Sequence, residues 1–318
     1  MIITVALNPA LDQTVEVEHF APADTNRVLD MRFDIGGKGI NVARVLKTLG
    51  FEALATGFAA GARGRQIIEQ LEDSGIGCDF IYVPGETRTN ITVLDRATHT
   101  HTQLALPGPE VGPEAGAQLR DRLRRRVREG GWLVLAGSIP PPGDPAIYTD
   151  LIRMADEHGT QTALDADGPI VKAVLDAGAH PTLLKINDHE LARLTRQTIE
   201  DEDEALQAAR LVREWGVPNV VVTLGSDGAI AVTADGDFLV RPPYVDVVSA
   251  VGAGDAFTGG LICGLMREHD WAYALALAAA AGSATCQTPG TMLCEGVDVI
   301  GLVAKAVVER IPMSAATR

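Results

Sequence analysis

Short apolar runs alternate with longer stretches of helical period along most of this chain. Ile2–Leu7 is a β-rich run. Ile40–Leu49 follows, with Ile40, Ala43, Leu46 and Leu49 along one side, the spacing of a helix with one buried face. Ala53–Phe58 predicts a strand and Gly64–Asp73 a helix. Trp132–Ala136, Thr162–Asp165, Thr182–Ile186 and Val220–Leu224 are each short and apolar, with helical segments between them. Strands separated by helices of about ten or more residues build βαβ units. Right-handed crossovers then place helices on both faces of a parallel sheet.

Two regions break the alternation. Thr14–Phe33 and Thr89–Leu106 lack a helical period and interleave β-branched with polar residues, as in Thr89–Asp95. They predict a separate small sheet of about residues 12–33 and 88–106, projecting from the main body as a lid. No linker, low-complexity tract or internal repeat divides the chain, so the expectation is one α/β domain over residues 1–318.

Composition agrees. Hydrophobic residues make up 46% and aromatics 4%, a core of Ala, Val, Leu and Ile that suits a parallel sheet covered by helices. The formal net charge of −15 argues against a nucleic-acid partner and against an anionic membrane surface. An anionic small substrate must then be met by local basic groups. The six arginines of Arg120–Arg128 fall in a predicted helix and read as a solvated face, and the acidic run Glu200–Glu204 suits a helix start. Cys78, Cys263, Cys286 and Cys294 form no CxxC pair, which points to reduced thiols in the cytoplasm. No apolar run reaches about 18 residues and the N-terminus has no basic region, so neither a membrane span nor a signal peptide is expected. His99 and His101 share a strand face, but no third ligand accompanies them for a tetrahedral metal.

The chemistry concentrates in a few glycine-bearing turns. In Ser249-Ala250-Val251-Gly252-Ala253-Gly254-Asp255, two glycines precede an apolar helical run. Backbone amides at such a helix start converge on one spot and carry the positive end of the dipole. Asp255 either handles a proton beside a bound anion there or simply caps the helix. Gly36-Gly37-Lys38-Gly39-Ile40-Asn41 opens the helix at Ile40, and Lys38 adds a point charge. It is no Walker A loop, because Gly39 stands where Ser or Thr should follow the lysine, and no GxGxxG occurs at either turn. Arg88 opens the second lid segment, and Ser138 follows the apolar run Trp132–Ala136, at a strand's C-terminal end. Asp12 follows the first strand and serves either sugar hydroxyls or an Asx turn. Lys185-Ile186-Asn187-Asp188-His189-Glu190 ends a strand with a capping-box pattern, and can equally put Lys185 on phosphate oxygens and Glu190 near hydrated Mg²⁺. Thr223-Leu224-Gly225-Ser226-Asp227-Gly228 is a further glycine turn, suited to passing beneath a nucleotide.

Taken in order, these residues resemble PfkB-type (ribokinase-like) carbohydrate kinases. The branch is that of 1-phosphofructokinase, tagatose-6-phosphate kinase and PfkB-type 6-phosphofructokinase. The likeness runs from Thr4–Asp12 to Gly290–Cys294, and its specific signatures are Gly36–Asn41 and Val251–Asp255. It implies a ribokinase-like, Rossmann-type three-layer α/β sandwich with a mostly parallel central sheet and a β lid, commonly dimerised through that lid. It also implies that Asp12, Gly37, Lys38, Asn41, Arg88 and Ser138 hold a sugar phosphate. Lys185, Asn187, Thr223, Gly225, Gly228, Ser249 and Val251 then contact ATP, and Glu190 places Mg²⁺. Gly252, Ala253 and Gly254 form the anion hole, with Asp255 as catalytic base. A helix N-terminus should lower the Asp255 pKa, tolerable because the transition state of phosphoryl transfer is loose and the proton leaves late.

Some positions depart from the pattern: Ile186 stands for the usual proline, and Ala250 and Ala256 for hydroxyl residues. Ala105 stands where many 1-phosphofructokinases carry asparagine, and there and in Gly290–Cys294 the chain is closer to the PfkB-type 6-phosphofructokinase. Lys38 points to the 1-phosphofructokinase and tagatose-6-phosphate kinase side. The expected reaction converts a ketohexose monophosphate to the bisphosphate, with fructose 1-phosphate favoured over fructose 6-phosphate and tagatose 6-phosphate. The rival from another class is a non-catalytic sugar-phosphate sensor, which would have no need to keep Asp255 beside intact glycines.

Overall fold

Ile2–Ala6 and Trp132–Ala136 pair as parallel neighbours in a ten-stranded sheet, and their side chains alternate between two helical layers. A computed structural model describes residues 1–98, 100–268 and 270–312. The first half of the chain forms β1 (Ile2–Ala6), β2 (Ala10–Val17), β3 (Val28–Gly36), α1 (Lys38–Thr48), β4 (Ala53–Ala60), α2 (Gly61–Asp73), β5 (Gly77–Val83), β6 (Arg88–Asp95) and β7 (Thr100–Leu104). Next come α3 (Pro113–Arg124), β8 (Trp132–Ala136), α4 (Ala146–Glu157), β9 (Gln161–Asp165), α5 (Gly168–Asp176), β10 (Leu183–Asn187), α6 (Asp188–Thr195) and α7 (Glu202–Glu214). The last part holds β11 (Asn219–Thr223), a short 3-10 turn at Gly225–Asp227, β12 (Ala229–Thr233) and β13 (Gly236–Arg241). It ends with α8 (Ala253–Glu268), α9 (Trp271–Cys286), α10 (Gly296–Val303) and β14 (Val307–Ile311).

The large sheet has the order β14-β13-β12-β11-β10-β9-β8-β1-β4-β5. It is parallel from β11 to β5, with β12–β14 added antiparallel. Ile3, Val5, Leu133 and Leu135 pack against Leu119, Tyr148 and Leu151 on one face. Ile2, Trp132 and Val134 pack against Val42, Leu46, Leu261 and Ala278 on the other. This is the expected three-layer sandwich. The predicted strands and helices of the parallel region lie within a few residues of the observed ones. α1 begins at Lys38 because Gly37, at φ 107, supplies the turn into it. β5 and the antiparallel β12–β14 are additions beyond the elements the hydrophobic pattern predicts.

The small sheet has the order β3-β2-β6-β7. It reaches past the predicted limits at 12 and 33 because Ala10 pairs with both Gly36 and Arg88. Its register sorts residues onto two faces. Asp12 stands between Asp34 and Asn90, with Arg88 two residues before Asn90, so these polar groups share one face. Met31, Phe33, Val15, Ile91 and Leu104 share the other. Asp12 therefore lies within a strand, which removes the Asx-turn reading.

The arginine run is only partly a solvated face. α3 ends at Arg124; Arg122 and Arg126 both grip Asp79, at 2.8 and 2.7 Å, and Arg120 pairs with Asp150. All four cysteines are free, and no helix among the described residues is long and apolar enough to cross a membrane. His101 stands in β7, while His99 lies outside the described residues.

Gly39 shows why one glycine of the first motif is needed without any ligand: a Cβ there would sit 2.7 Å from the Val5 carbonyl oxygen, where α1 crosses β1. Gly39→Ala should therefore destabilise the protein by about 1–3 kcal/mol, as overpacking does. Chemical denaturation checks this, and an unchanged midpoint would contradict it.

Candidate active site

The C-terminal ends of β1, β8, β9 and β10 meet one another, the position at which open α/β sheets bind ligands. A cavity of about 230 Å³ opens there, lined among others by Asn8, Gly37, Lys38, Arg88, Ser138 and Glu190. Lys38 and Arg88, far apart in sequence, thus face one space. Arg88 donates to the Leu106 carbonyl at 3.0 Å, and its Nε is buried without an acceptor. Burial pulls the guanidinium below its ordinary pKa, opposed by the Asp12 charge. Asp12 accepts from Asn90 at 2.8 Å, and burial raises its pKa against that bond. Asn8 donates to Ser138 at 3.2 Å and to the Pro107 carbonyl at 2.9 Å, fastening the chain beyond β7 to the end of β8.

One central residue escaped the sequence reading. Asp165 is fully buried at the end of β9 and places its carboxylate between two lysines, with Lys38 Nζ at 2.5 Å and Lys185 Nζ at 3.2 Å. Thr258 Oγ1 donates to it at 3.1 Å. Burial alone would raise its pKa, but Lys185 and Lys38 hold it down at about 2. Burial works equally against the charge on Lys38, yet Asp165 and Glu190 more than offset this and raise its pKa. The carboxylate thus links the lysine assigned to the acceptor with the lysine assigned to the nucleotide. It was hidden in the sequence as the last residue of an apolar strand, with no motif around it.

Asp255 stands in the first turn of α8, buried, and accepts from Asn41 Nδ2 at 2.8 Å. Gly252, at φ 82, turns the chain so that the Gly254 and Asp255 amides, which lack intrahelical acceptors, open the helix. Lys185 Nζ lies 3.0 Å from where a Gly254 Cβ would be. The expected depression of the Asp255 pKa is reversed. Burial raises it and the Asp165 charge adds to that, outweighing Asn41 and the two lysines. The result favours proton acceptance, since a carboxylate of raised pKa is a stronger base.

Asn187 and Glu190 form a complete capping box at α6: Glu190 N–H donates to Asn187 Oδ1 at 2.7 Å, and Asn187 N–H to Glu190 Oε2 at 3.0 Å. Glu190 Oε1 is left facing Lys38 Nζ at 3.7 Å. Thr223, Gly225 and Gly228 lie one strand further along, at β11 and its 3-10 turn. Ser249 and Val251 precede α8, where the Val251 amide donates to Ser249 Oγ at 3.3 Å.

Residues 5–296 match the pfkB family of carbohydrate kinases. The chain belongs to that family. Tagatose-6-phosphate kinase of Staphylococcus epidermidis is 33% identical over 274 residues, 85% of this chain and 86% of that protein. Phosphofructokinase-2 of Escherichia coli in complex with fructose-6-phosphate superposes with a TM-score of 0.88 at 30% identity, covering 96% of this chain and 98% of that one. A Thermotoga maritima structure described as a possible 1-phosphofructokinase gives 0.85 at 26% identity, with 98% and 100% covered. This chain is therefore an ATP-dependent sugar-phosphate kinase of the pfkB family.

The bridge at Asp165 has a pH signature in this kinase. Its depressed pKa contributes stability that is present above the ordinary value of 3.8 and is lost as pH falls from there towards about 2. Asp165→Asn leaves two lysines facing no charge at that point and should cost roughly 3–5 kcal/mol at neutral pH. The gap between variant and wild type should narrow below pH 3.8 in urea titrations. A gap independent of pH would contradict the bridge.

Proposed function

We propose that the protein transfers the γ-phosphoryl group of ATP to a hydroxyl of a ketohexose monophosphate, giving the bisphosphate. The observation that carries this is the Asn41–Asp255 pair at the start of α8, which feels the charge of Lys38, while Lys38 and Arg88 face one cavity. Glu190 and Asp167 also line that cavity, but Arg88 there has a buried Nε without an acceptor, which suits an anionic acceptor better than a neutral sugar. Asp255, with its raised pKa, takes the proton of the attacking hydroxyl, while the amides at Gly252–Gly254 face the transferring group.

The acceptor is a ketohexose 6-phosphate on the present reading, because the Staphylococcus epidermidis relative, 33% identical, is named for tagatose 6-phosphate and the Escherichia coli structure, 30% identical, holds fructose 6-phosphate. Fructose 1-phosphate, favoured from sequence, remains the second reading and rests on Lys38. The donor set at Glu190 suits Mg²⁺. One carboxylate oxygen is left over from the capping box, and no cluster of three potential protein ligands occurs among the described residues. A cation held by few protein oxygens and several waters is the habit of Mg²⁺. Bound with ATP, it neutralises charge on the phosphates. Cytoplasmic location fits the four free thiols.

The outer face of the small sheet leaves Met31 51%, Phe33 46% and Leu104 53% exposed, an apolar patch that a second copy of the chain covers in this reading. Sedimentation should show a dimer in the wild type and a monomer for Phe33→Asp. A wild type that stays monomeric, or a variant that stays dimeric, would sink lid-to-lid pairing.

An ADP-release assay with Mg²⁺, run on fructose 6-phosphate, tagatose 6-phosphate, fructose 1-phosphate and free fructose, tests the reaction. One phosphorylated ketohexose should outpace free fructose strongly, and omission of Mg²⁺ should stop turnover. Asp255→Asn should lower kcat by about 10² to 10⁴ with ATP binding kept. Equal rates on free fructose would defeat the site assignment, and more than about a tenth of wild-type kcat in the variant would defeat Asp255 as base.

A further inference from the structure

The turn Gly290–Leu293 touches both the lid and the loop before α8. On the lid side, Thr291 Oγ1 donates to Asp34 Oδ2 of β3 at 2.6 Å. Arg32 Nε lies 3.5 Å from the same oxygen and is buried without a hydrogen-bond acceptor. The Arg32 guanidinium fills the space beside Gly290, where a Cβ would fall 1.1 Å from Nη2. On the other side, the Gly290 carbonyl accepts from Ser249 Oγ at 2.7 Å, and Leu293 packs on Gly252, with Cδ2 2.8 Å from a Cβ built there. Ser249 Oγ in turn holds the Val251 amide. A chain of short polar contacts therefore runs from a strand of the small sheet, through one turn, to the glycines that open α8.

Asp34 is also in register with Asp12, on the face that carries Arg88, a residue of the cavity lining. A shift of β3 away from Thr291 moves the strand beside Asp12. A shift of the Ser249–Gly252 loop pulls on the Gly290 carbonyl. Neither Asp34 nor Thr291 lines the cavity itself.

We propose that Asp34 and Thr291 are positioning residues that latch the lid to the phosphate loop, so that a nucleotide on Gly252–Asp255 orders β3. By linkage, an acceptor under the lid then tightens nucleotide binding by the same factor. This rests on the reading of Ser249–Asp255 as the nucleotide side. A hydrogen bond to a charged group is worth roughly a factor of ten or more in an equilibrium, enough to make the coupling visible.

Hydrogen exchange on the full chain tests it, with Mg²⁺ and a non-hydrolysable ATP analogue as the only ligand. In the wild type, exchange should slow both at residues 249–255 and at residues 28–36. Thr291→Val and Asp34→Asn should keep the first effect and lose the second by roughly tenfold, whereas Thr291→Ser, which keeps the hydroxyl, should restore it. A merely structural contact would shift melting temperature and leave the ligand-dependent protection of 28–36 in place. Protection of 249–255 without protection of 28–36 in the wild type overturns the latch, as does undiminished protection of 28–36 in both variants. No protection at 249–255 is a different failure, that of the nucleotide reading, and removes the latch with it.

Discussion

A single carboxylate, Asp165, lies between two lysines that reach it from different elements of the fold. Lys38 arrives on the helix after β3, and Lys185 on β10, and no stretch of chain shorter than a whole βαβ unit connects them. Unpaired, each group would bear the desolvation cost of burial. Together, with the Thr258 hydroxyl on Asp165 and Glu190 facing Lys38, they stand at the carboxyl edge of the sheet with their charges paired. The same arrangement sets the chemistry around it. Burial, and after it the Asp165 charge, raise the Asp255 pKa against the pull of Asn41 and the two lysines.

The small sheet divides its labour by strand alternation. Its inner face presents Asp12, Asn90 and Asp34, bound to one another or to the body of the molecule. Its outer face is apolar and half-exposed. Such a sheet cannot be stable as an isolated flap: at its base Leu11 and Ile35 pack with Ile40, Ala43 and Ile67 of the main body, and the Thr291–Asp34 hydrogen bond adds a polar tie.

Much of this was legible in the chain. The period-2 and period-3.6 patterns located the parallel strands, and the glycine motifs marked the turns at Gly37 and Gly252 because only positive φ fits there. Antiparallel β12–β14 were harder, since β14 is an exposed edge strand with no clean alternation. Asp165 was illegible because a buried charge looks in sequence like the end of any apolar strand, and its partners lie 127 and 20 residues away. The direction of the Asp255 shift failed for a related reason. A helix dipole can be read locally, whereas burial and the approach of Asp165 are tertiary facts. Glu190 was read both as a cap and as a cation ligand; the cap is formed, and its other oxygen faces Lys38.

In the proposed reaction one acceptor hydroxyl meets Asp255 while Lys38 and Lys185 serve different ligands across Asp165. A crystal structure with a ketohexose monophosphate and a non-hydrolysable Mg²⁺–ATP analogue tests it most directly. An acceptor hydroxyl should lie within about 2.6–3.2 Å of the Asp255 carboxylate, with the sugar's own phosphate on Lys38 and Arg88 and the nucleotide phosphates near Lys185. A sugar phosphate bound elsewhere, or bound with its hydroxyls turned away from Asp255, would contradict it.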